Sequence, residues 1–192
     1  VIVDIDEKSL AEVGRWPWGR NRLSELTTEL FDRQKIALLG FDIVFAEPDQ
    51  SSGLPVLRQL AKSDLAKDAE FNKLLPSLAP RLDYDQQFAN SLKRRPTVLG
   101  YYFNHDNENR YGALPAPVMP ASALHDQGDA LGDETGFGAN LSLFMQSAAG
   151  AGHFVPSPDS DGITRRVQML LRYQGQLYEP LSLALVRFFL VV

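Results

Sequence analysis

The chain has 192 residues, of which 44% are hydrophobic and 22% are charged, with a formal net charge of −5. Its length allows one domain with a sizeable core, and its composition is ordinary for a globular protein. The acidic balance argues against nucleic acid as a partner, because phosphate binding requires a basic surface. The absence of cysteine excludes disulfides and thiolate chemistry but indicates no cellular compartment.

The two ends of the chain show no targeting or membrane signal. The chain opens directly on an apolar run without a recognisable signal peptide. A membrane span needs about 20 consecutive apolar residues, and the nearest candidate, residues 181–192, is too short and is interrupted by Arg187. We therefore expect both ends to be cut from a longer protein rather than to be natural termini.

Apolar runs at residues 1–6, 36–45 and 97–103 predict three buried strands. The second run is apolar on consecutive positions, which is typical of a strand covered by helices on both faces. A helix over residues 21–34, capped by Asn21, lies between the first two runs and implies a right-handed parallel crossover. The predicted fold class is therefore α/β, with a parallel βαβαβ core sheet and helices on both faces.

Local signals predict several further elements. Helices are expected at residues 9–13 (ending at Gly14), 54–75, 83–93 (capped by Asp83) and from Pro180 or Leu181 onward. Alternation over residues 162–172, a turn, and a returning strand at 177–178 predict a C-terminal antiparallel hairpin that extends the sheet. Residues 104–150 must contain short elements, because a structureless loop of that length is uncommon. We expect a single domain over residues 1–192, with a helical excursion at about residues 50–82.

Acidic residues follow the first two predicted strands. Asp4 and Asp6 share one face of the first strand, and Asp42 and Glu47 lie near the end of the second. Ligands of open parallel sheets bind outside the carboxyl ends of the strands, so these four side chains would converge on a hard cation or on the basic group of an organic ligand. In the alternative interpretation they cap helices or pair with arginines 15, 20 and 165, and no ion is needed.

Two other motifs have both a binding and a structural interpretation. Arg15, Trp16, Trp18 and Arg20 are residue types that anchor ligands and interfaces, but a Trp-Pro-Trp turn also forms a rigid plug over a core. The acidic segment 159–162 resembles the opening of a calcium loop but lacks the later oxygen ligands, which favours a turn. The histidines have no metal-ligand spacing, so no metal site and no cofactor is predicted.

Three stretches together resemble the CHASE2 family of sensor domains. They are Val3-Asp4-Ile5-Asp6-Glu7 with Trp16-Pro17-Trp18, then Gly40-Phe41-Asp42-Ile43-Val44-Phe45-Ala46-Glu47-Pro48-Asp49, then Asp159-Ser160-Asp161-Gly162 with Arg165-Arg166. The resemblance covers nearly the whole chain in the order of the family. Two departures are residues 50–81, which contain no recognisable family motif, and Gln168, which stands where proline is expected.

The resemblance implies an extracytoplasmic, periplasmic sensor domain that is anchored in the cell membrane as part of a receptor. Such domains feed cytoplasmic outputs that include histidine kinases and adenylate cyclases, so the domain itself is not expected to be an enzyme. The implied ligand is a small molecule or a protein, and a homodimer fits the family. The candidate ligand-binding residues are Asp4, Asp6, Arg15, Trp16, Trp18, Arg20, Asp42, Glu47, Asp161 and Arg165.

Two other functions remain open on the sequence. The first is a structural or dimerisation module in which the motif residues only stabilise the fold. The second is a haloacid-dehalogenase-like phosphatase, since a strand ending in Asp4-Ile5-Asp6 resembles the nucleophile strand of that family and residues 128–133 resemble its later acidic motif. Lys8 stands where that family has threonine or valine, and no lysine has a recognisable phosphate-binding context, so the phosphatase is the less favoured alternative.

Overall fold

The computed structural model describes residues 1–124 and 131–191, and it has the mixed α/β character that the sequence predicts. The chain forms two compact units. Unit 1 contains Val1–Glu29 and Asp49–Ser91, and unit 2 contains Leu30–Pro48 and Leu92–Val192. Among the residues described, no helix has both the length and the apolarity that crossing a membrane requires.

Unit 1 is helical. Its helices are α1 Glu7–Val13, α2 Arg20–Thr28, α3 Leu54–Leu60, α4 Ala69–Leu82 and α5 Tyr84–Leu92, the last residue of which belongs to unit 2. The core of this unit includes Leu23, Leu54 and Phe88, none of which is more than 3% exposed. Burial of such side chains stabilises the unit by roughly 1.5–3 kcal/mol each.

The helix ends in unit 1 follow local capping chemistry. Asp6 accepts a hydrogen bond from the backbone N–H of Ser9 at 2.8 Å and so caps α1, which ends at Gly14 with a φ of 107° as predicted. Asp83 caps α5 through the N–H of Gln86 at 3.1 Å, also as predicted. The predicted cap at Asn21 is wrong, because α2 begins one residue earlier, with Gly19 at the capping position.

The single helix predicted over residues 54–75 is two helices. α3 ends at Leu60, and α4 begins at Ala69. Asp68 marks the restart, since its carboxylate accepts a hydrogen bond from the N–H of Phe71 at 2.9 Å. Apolar periodicity continues across residues 61–68, but the N-cap at Asp68 fixes a new helix start and so overrides it.

Residues 1–6 do not form the predicted first strand. Val1, Ile2 and Val3 are exposed, with relative accessibilities of 126%, 93% and 61%. An apolar, β-branched run has the propensity for a strand, but a strand is stable only when a neighbouring strand and a packed face accept it. The predicted βαβαβ core therefore lacks its first strand in this structure.

Unit 2 holds the sheets. Its strands are β1 Leu39–Phe41, β2 Thr97–Asn104, β3 Arg110–Tyr111, β4 Met119–Pro120, β5 Asp133–Glu134, β6 Gly136–Gly138, β7 Gly150–His153, β8 Ser157–Pro158, β9 Thr164–Arg166, β10 Leu171–Tyr173 and β11 Gln176–Tyr178. Unit 2 also contains helices α6 Ser142–Met145 and α7 Leu181–Val191, and the π-helical segment Glu29–Arg33 except for its first residue, which belongs to unit 1. The short elements expected within residues 104–150 are β3 to β6 and α6.

Strand β2 is the centre of the main sheet. It pairs in parallel with β1, with Val98 opposite Gly40, and in parallel with β7, with Tyr101 opposite His153. Its last residues pair with β6 in the antiparallel direction. Val98 and Leu99 are fully buried, as the predicted strand at residues 97–103 requires. The third parallel strand of this core is thus β7 rather than residues 1–6.

The predicted strand at residues 162–172 is interrupted. β9 pairs with β8 across the turn at Asp159–Ile163, whereas β10 pairs with β11 in an antiparallel hairpin whose turn contains Gly175. Three alternating residues expected on one buried face are about half exposed: Ile163, Val167 and Met169. Alternation of apolar and polar residues predicts that a segment has one apolar face. That face is buried only where another element packs against it.

Helix α7 lies directly against β7. A Cβ atom built on Gly152 would lie 2.5 Å from both Cα and the backbone N of Leu181, the first residue of α7. Next along the chain, the N–H of His153 donates to the carbonyl of Glu179 at 3.0 Å. No side chain fits between the two backbones, so this contact requires glycine at position 152.

Candidate functional site

The acidic residues predicted to bind a ligand lie in different surroundings. Asp4 and Asp6 are exposed in unit 1, and Asp42 and Glu47 are exposed in unit 2. Their expected convergence depended on a first strand parallel to β1, and that strand is not formed. For Asp6 the alternative interpretation holds, since it caps α1; its bonds from the Ser9 hydroxyl and N–H lower the pKa of its carboxyl.

The Trp-Pro-Trp segment forms a small aromatic cluster in unit 1. The rings of Trp16 and Trp18 meet edge to face with centroids 5.7 Å apart, and the indole N–H of Trp18 donates to the carbonyl of Gly14 at 2.8 Å. Both rings are half-buried, and Arg15 is exposed. The hydrogen bond ties the segment to the end of α1, so this geometry fits the structural interpretation while leaving ring surface accessible.

Arg20 begins α2 among acidic partners of unit 1. Its backbone N–H donates to the carboxylate of Asp49 at 2.8 Å, and its Nε lies 3.7 Å from Oδ1 of Asp85. Burial raises the pKa of Asp85, although its other oxygen accepts a hydrogen bond from the N–H of Asp49 at 2.9 Å. Arg20 thus pairs with carboxylates, as the structural interpretation expects, but with different ones from those predicted.

Asp161 lies in the turn between β8 and β9, and Arg165 lies in β9. The guanidinium of Arg165 lies 2.9 Å from Asp161 and 3.1 Å from Asp159. This ion pairing lowers the pKa of Asp161 and raises that of Arg165. The segment is therefore a turn that ion pairs with Arg165 stabilise, which is the structural alternative to a calcium loop.

Glu47 lies in an aromatic and polar part of unit 2. The phenols of Tyr102 and Tyr111 are hydrogen-bonded to each other, and this bond, with burial and the nearby charge of Glu47, raises the pKa of Tyr111 to about 12. The Tyr111 phenol is therefore neutral at physiological pH. The ligand-binding role of the ten predicted residues, divided between the two units, stays a prediction.

Two observations bear on the metal and phosphatase interpretations of the sequence. Within the ranges 1–124 and 131–191, no three His, Asp or Glu side chains are grouped so that they could hold a metal ion. Asp4 does not end a strand, as a phosphatase nucleophile would. Part of the second phosphatase motif, residues 128–130, lies outside the described residues.

A cavity of about 250 Å³ lies within unit 2, in a region that the sequence motifs do not mark. Small residues form its walls, from the segment before β4 and from the start of β7: Pro115, Ala116, Val118, Ala149, Gly150 and Ala151. Tyr101 of β2, Tyr178 of β11 and Phe188 of α7 add aromatic surface. A mostly apolar concavity with a few polar groups is the usual form of a small-molecule site.

Glu179 and Arg187 are the charged residues of the cavity lining. The Nε of Arg187 donates to the two carboxylate oxygens of Glu179 at 3.0 and 3.3 Å. The Glu179 side chain is 6% exposed, whereas that of Arg187 is 50% exposed. Side chains of a helix lean toward its N-terminus, which lets Arg187 reach back along α7 to a residue that precedes the helix.

Tyr101, which lines the cavity, and its neighbour His153, which does not, both carry buried polar atoms. Tyr101 is 1% exposed and His153 is fully buried, and the two face each other across the β2–β7 pair with their rings edge to face. Within the described part of the chain, neither the Tyr101 hydroxyl nor either ring nitrogen of His153 has a hydrogen-bond partner. Such buried groups cost about 1–3 kcal/mol each, which makes them informative about function.

We expect His153 to make the stability of unit 2 depend on pH. Burial lowers the pKa of His153 from 6.5 to about 4. Between these two values, the imidazole is protonated in the unfolded chain and neutral in the folded chain. The contribution of His153 to the free energy of unfolding is fully present above the unfolded pKa and is lost as the pH falls toward the folded pKa. The loss is roughly 2 kcal/mol between about pH 7 and pH 5. Urea unfolding at both pH values measures this loss.

A matched pair of variants isolates this effect. His153→Leu removes the buried imidazole and should flatten the dependence, whereas His105→Gln, at a side chain that is 78% exposed, should leave it unchanged. An unaltered pH dependence in His153→Leu would assign the loss to other titrating groups.

Sequence reasoning missed the cavity residues. Tyr101 lies within a predicted strand but carries no motif, and Arg187 was noted only as an interruption of an apolar run. The available signal was Arg187 itself: a charged residue within an apolar helix requires a partner, and Glu179 is the acidic residue just before that helix. The cavity itself depends on five separate chain segments and leaves no local pattern.

Comparison with known proteins identifies one family. The family model of the CHASE2 domain matches residues 1–191, which is essentially the whole chain. No curated protein and no solved structure shows significant similarity to the chain.

Proposed function

The chain belongs to the CHASE2 family of extracellular sensor domains, and we propose that it is the signal-input domain of a bacterial transmembrane receptor whose ligand binds in the unit 2 cavity. In this proposal the domain lies on the periplasmic side, is anchored in the cell membrane and controls a cytoplasmic output such as a histidine kinase or an adenylate cyclase. The domain itself carries no catalytic role.

The cavity of about 250 Å³ in unit 2 is the observation that carries the ligand-binding proposal. Small and aromatic residues form most of its lining, and the Glu179–Arg187 ion pair adds polar groups. A molecule that fills this concavity would remove apolar surface of the lining from water, which favours binding.

The cavity walls suggest how binding is transmitted. They include residues of β7, which pairs with β2, and Arg187 and Phe188 of α7. A ligand that contacts both elements favours the packing of α7 in which those contacts are best. Transmission requires that the ligand bind the two receptor states with different affinities.

Thermal unfolding of the chain with a panel of small molecules tests the proposal. A ligand at about 100 times its dissociation constant stabilises by roughly 2.7 kcal/mol, which raises the melting temperature by roughly 5–10 °C for a chain of this size. We expect at least one compound to produce such a shift, and Ala116→Leu, which fills the cavity from an exposed position, to abolish it.

Two variants distinguish the candidate sites. Asp42→Asn should leave the shift intact if the ligand binds in the cavity, and should remove it if the predicted site at the end of β1 is the correct one. A panel without any shift would contradict ligand sensing.

The alternative function is a structural or dimerisation module without a small-molecule ligand. Val186, Phe189 and Leu190 of α7 lie on one helical face and are 55%, 61% and 78% exposed. Exposed apolar side chains grouped on one element are typical of protein contacts. An absent thermal shift would favour this alternative.

A further inference from the structure

Five basic residues precede the first two parallel strands of unit 2. Residues 29–36 and 92–97 together contain five basic and two acidic side chains, so these segments carry a net charge of +3 in a chain whose net charge is −5. The basic residues, which we call the basic cluster, are Arg33, Lys35, Lys93, Arg94 and Arg95. All of them except Arg95 are exposed. The positive excess remains whichever of these cations the carboxylates of Glu29 and Asp32 pair with.

The structure brings the two segments together at the edge where the parallel strands begin. Leu39, the first residue of β1, pairs with Thr97, the first residue of β2, and its N–H donates to the carbonyl of Pro96 at 3.0 Å. A guanidinium nitrogen of Arg95 also lies 2.9 Å from each carboxylate oxygen of Asp32. The basic cluster therefore lies at one edge of the main sheet.

Helix α7 runs toward the same edge. A Cβ atom built on Gly152, the third residue of β7, would lie 2.5 Å from Cα of Leu181. A Cβ atom built on Gly150, the first residue of β7, would lie close to the ring of Phe188. Along its length α7 thus advances from the end of β7 to the beginning of this strand, which is parallel to β2.

The last turn of α7 presents apolar side chains at this edge. Phe189 and Leu190 follow Phe188 and are 61% and 78% exposed. Residues 139–149, which precede β7, add no acidic side chain there. Exposed aromatic and aliphatic side chains beside cations are typical of surfaces that bind membranes. The apolar groups enter the headgroup region, and the cations attract anionic lipids.

We propose that this edge of unit 2 binds the surface of an anionic phospholipid membrane. The basic cluster contacts the lipid headgroups, and Phe189 and Leu190 enter the layer beneath them. Charge complementarity selects an anionic partner, and the apolar end of α7 selects one that is apolar below its charges, which a bilayer provides. The inference goes beyond the proposed function, because it depends neither on the cavity nor on a ligand within it.

Sedimentation of the 192-residue chain with lipid vesicles tests the proposal. One set of vesicles contains only phosphatidylcholine, and the other contains about 30% phosphatidylglycerol, which is anionic. We expect partitioning into the anionic vesicles to be at least about 10-fold stronger, because several basic residues act together. Raising the ionic strength from about 0.1 M to about 0.5 M should remove most of this difference through screening. Equal partitioning into the two sets, or binding to neither, would overturn the proposal.

Matched charge variants locate the surface. Lys35→Gln with Arg94→Gln removes two cations of the basic cluster and should weaken partitioning into anionic vesicles about 10-fold or more. Lys62→Gln with Lys67→Gln is the control, since both lysines are exposed between α3 and α4 of unit 1 and the net charge changes equally. The control should bind nearly as well as the unmodified chain. Equal losses in the two variants would show that overall charge, rather than this edge, attracts the chain.

The apolar part of the surface is tested at constant charge. Phe189→Ser with Leu190→Ser should weaken vesicle binding at least about 10-fold. Ile163→Ser with Val167→Ser is the control, because these side chains are 53% and 47% exposed elsewhere in unit 2. Circular dichroism checks that the variants fold, and the salt dependence of the unmodified chain tests the proposal without any variant. Unchanged binding after the α7 substitutions would contradict it, whereas the thermal-shift test of the cavity is independent of either result.

Discussion

Asn140→Ala should lower the free energy of unfolding of unit 2 by roughly 3–5 kcal/mol, because it leaves two buried backbone groups without partners. Asn140 is fully buried. Its side-chain oxygen accepts from the N–H of Phe45 at 2.7 Å, and its amide donates to the carbonyl of Gly100 at 2.9 Å. One amide thus satisfies two segments that the sheet ladder does not connect. Urea unfolding followed by far-UV circular dichroism measures the loss.

The control for this prediction is another asparagine of unit 2. The side-chain oxygen of Asn104, the last residue of β2, accepts a hydrogen bond from the N–H of Asp106 at 3.0 Å, and this hydrogen bond is exposed to solvent. Asn104→Ala should therefore cost at most about 1 kcal/mol, the usual worth of a single solvated hydrogen bond. Similar losses in the two variants would mean that water replaces the Asn140 amide and that the interior of unit 2 is less closed than it is in the structure.

Arg187→Met should destabilise unit 2 by roughly 3–5 kcal/mol, because it leaves the buried carboxylate of Glu179 without its ion-pair partner. Glu179 is buried, and Arg187 reaches it from a half-exposed position on α7. Replacing both partners, as in Arg187→Met with Glu179→Leu, should restore most of the loss, since the cost comes from the unpaired charge rather than from the missing contact. Equilibrium unfolding of the single and double variants measures both effects.

Arg165→Met is the matched control for Arg187→Met. The two arginine side chains are almost equally exposed, at 51% and 50%, but the Asp161 partner of Arg165 is 52% exposed. Loss of an exposed pair costs about 0–1 kcal/mol. Equal effects at the two arginines would show that Glu179 gains water when its partner is removed.

The sequence predicts the elements whose signals are local. The stop of α1 at Gly14, the Asp83 cap of α5 and the start of α7 each depend on one or two residues that act on their neighbours. The strand β2 was also predicted, because its buried core residues form an uninterrupted apolar run. The mixed α/β class follows from these elements together.

The sequence misleads where structure depends on distant partners. Residues 1–6 have strand propensity but no pairing strand in this structure, whereas β7 has the composition Gly-Ala-Gly-His and no strand propensity at all. Gly152 is required there by the approach of α7, which only the folded chain reveals. For the same reason Tyr101 and Glu179, 78 positions apart in the sequence, carry no shared motif although both line one cavity.

The close contact between Gly152 and the start of α7 also determines how this helix can move. Leu181 rests on the β7 backbone, and the carbonyl of Glu179 is held by His153, so the first turn of the helix is clamped to the sheet. Arg187 and Phe188 lie almost two turns further along and face the cavity. A helix held at one end and pushed near the other pivots rather than slides. A ligand bound in the cavity as proposed would therefore tilt α7 about Gly152, and a small displacement in the cavity would become larger toward the far end of the helix.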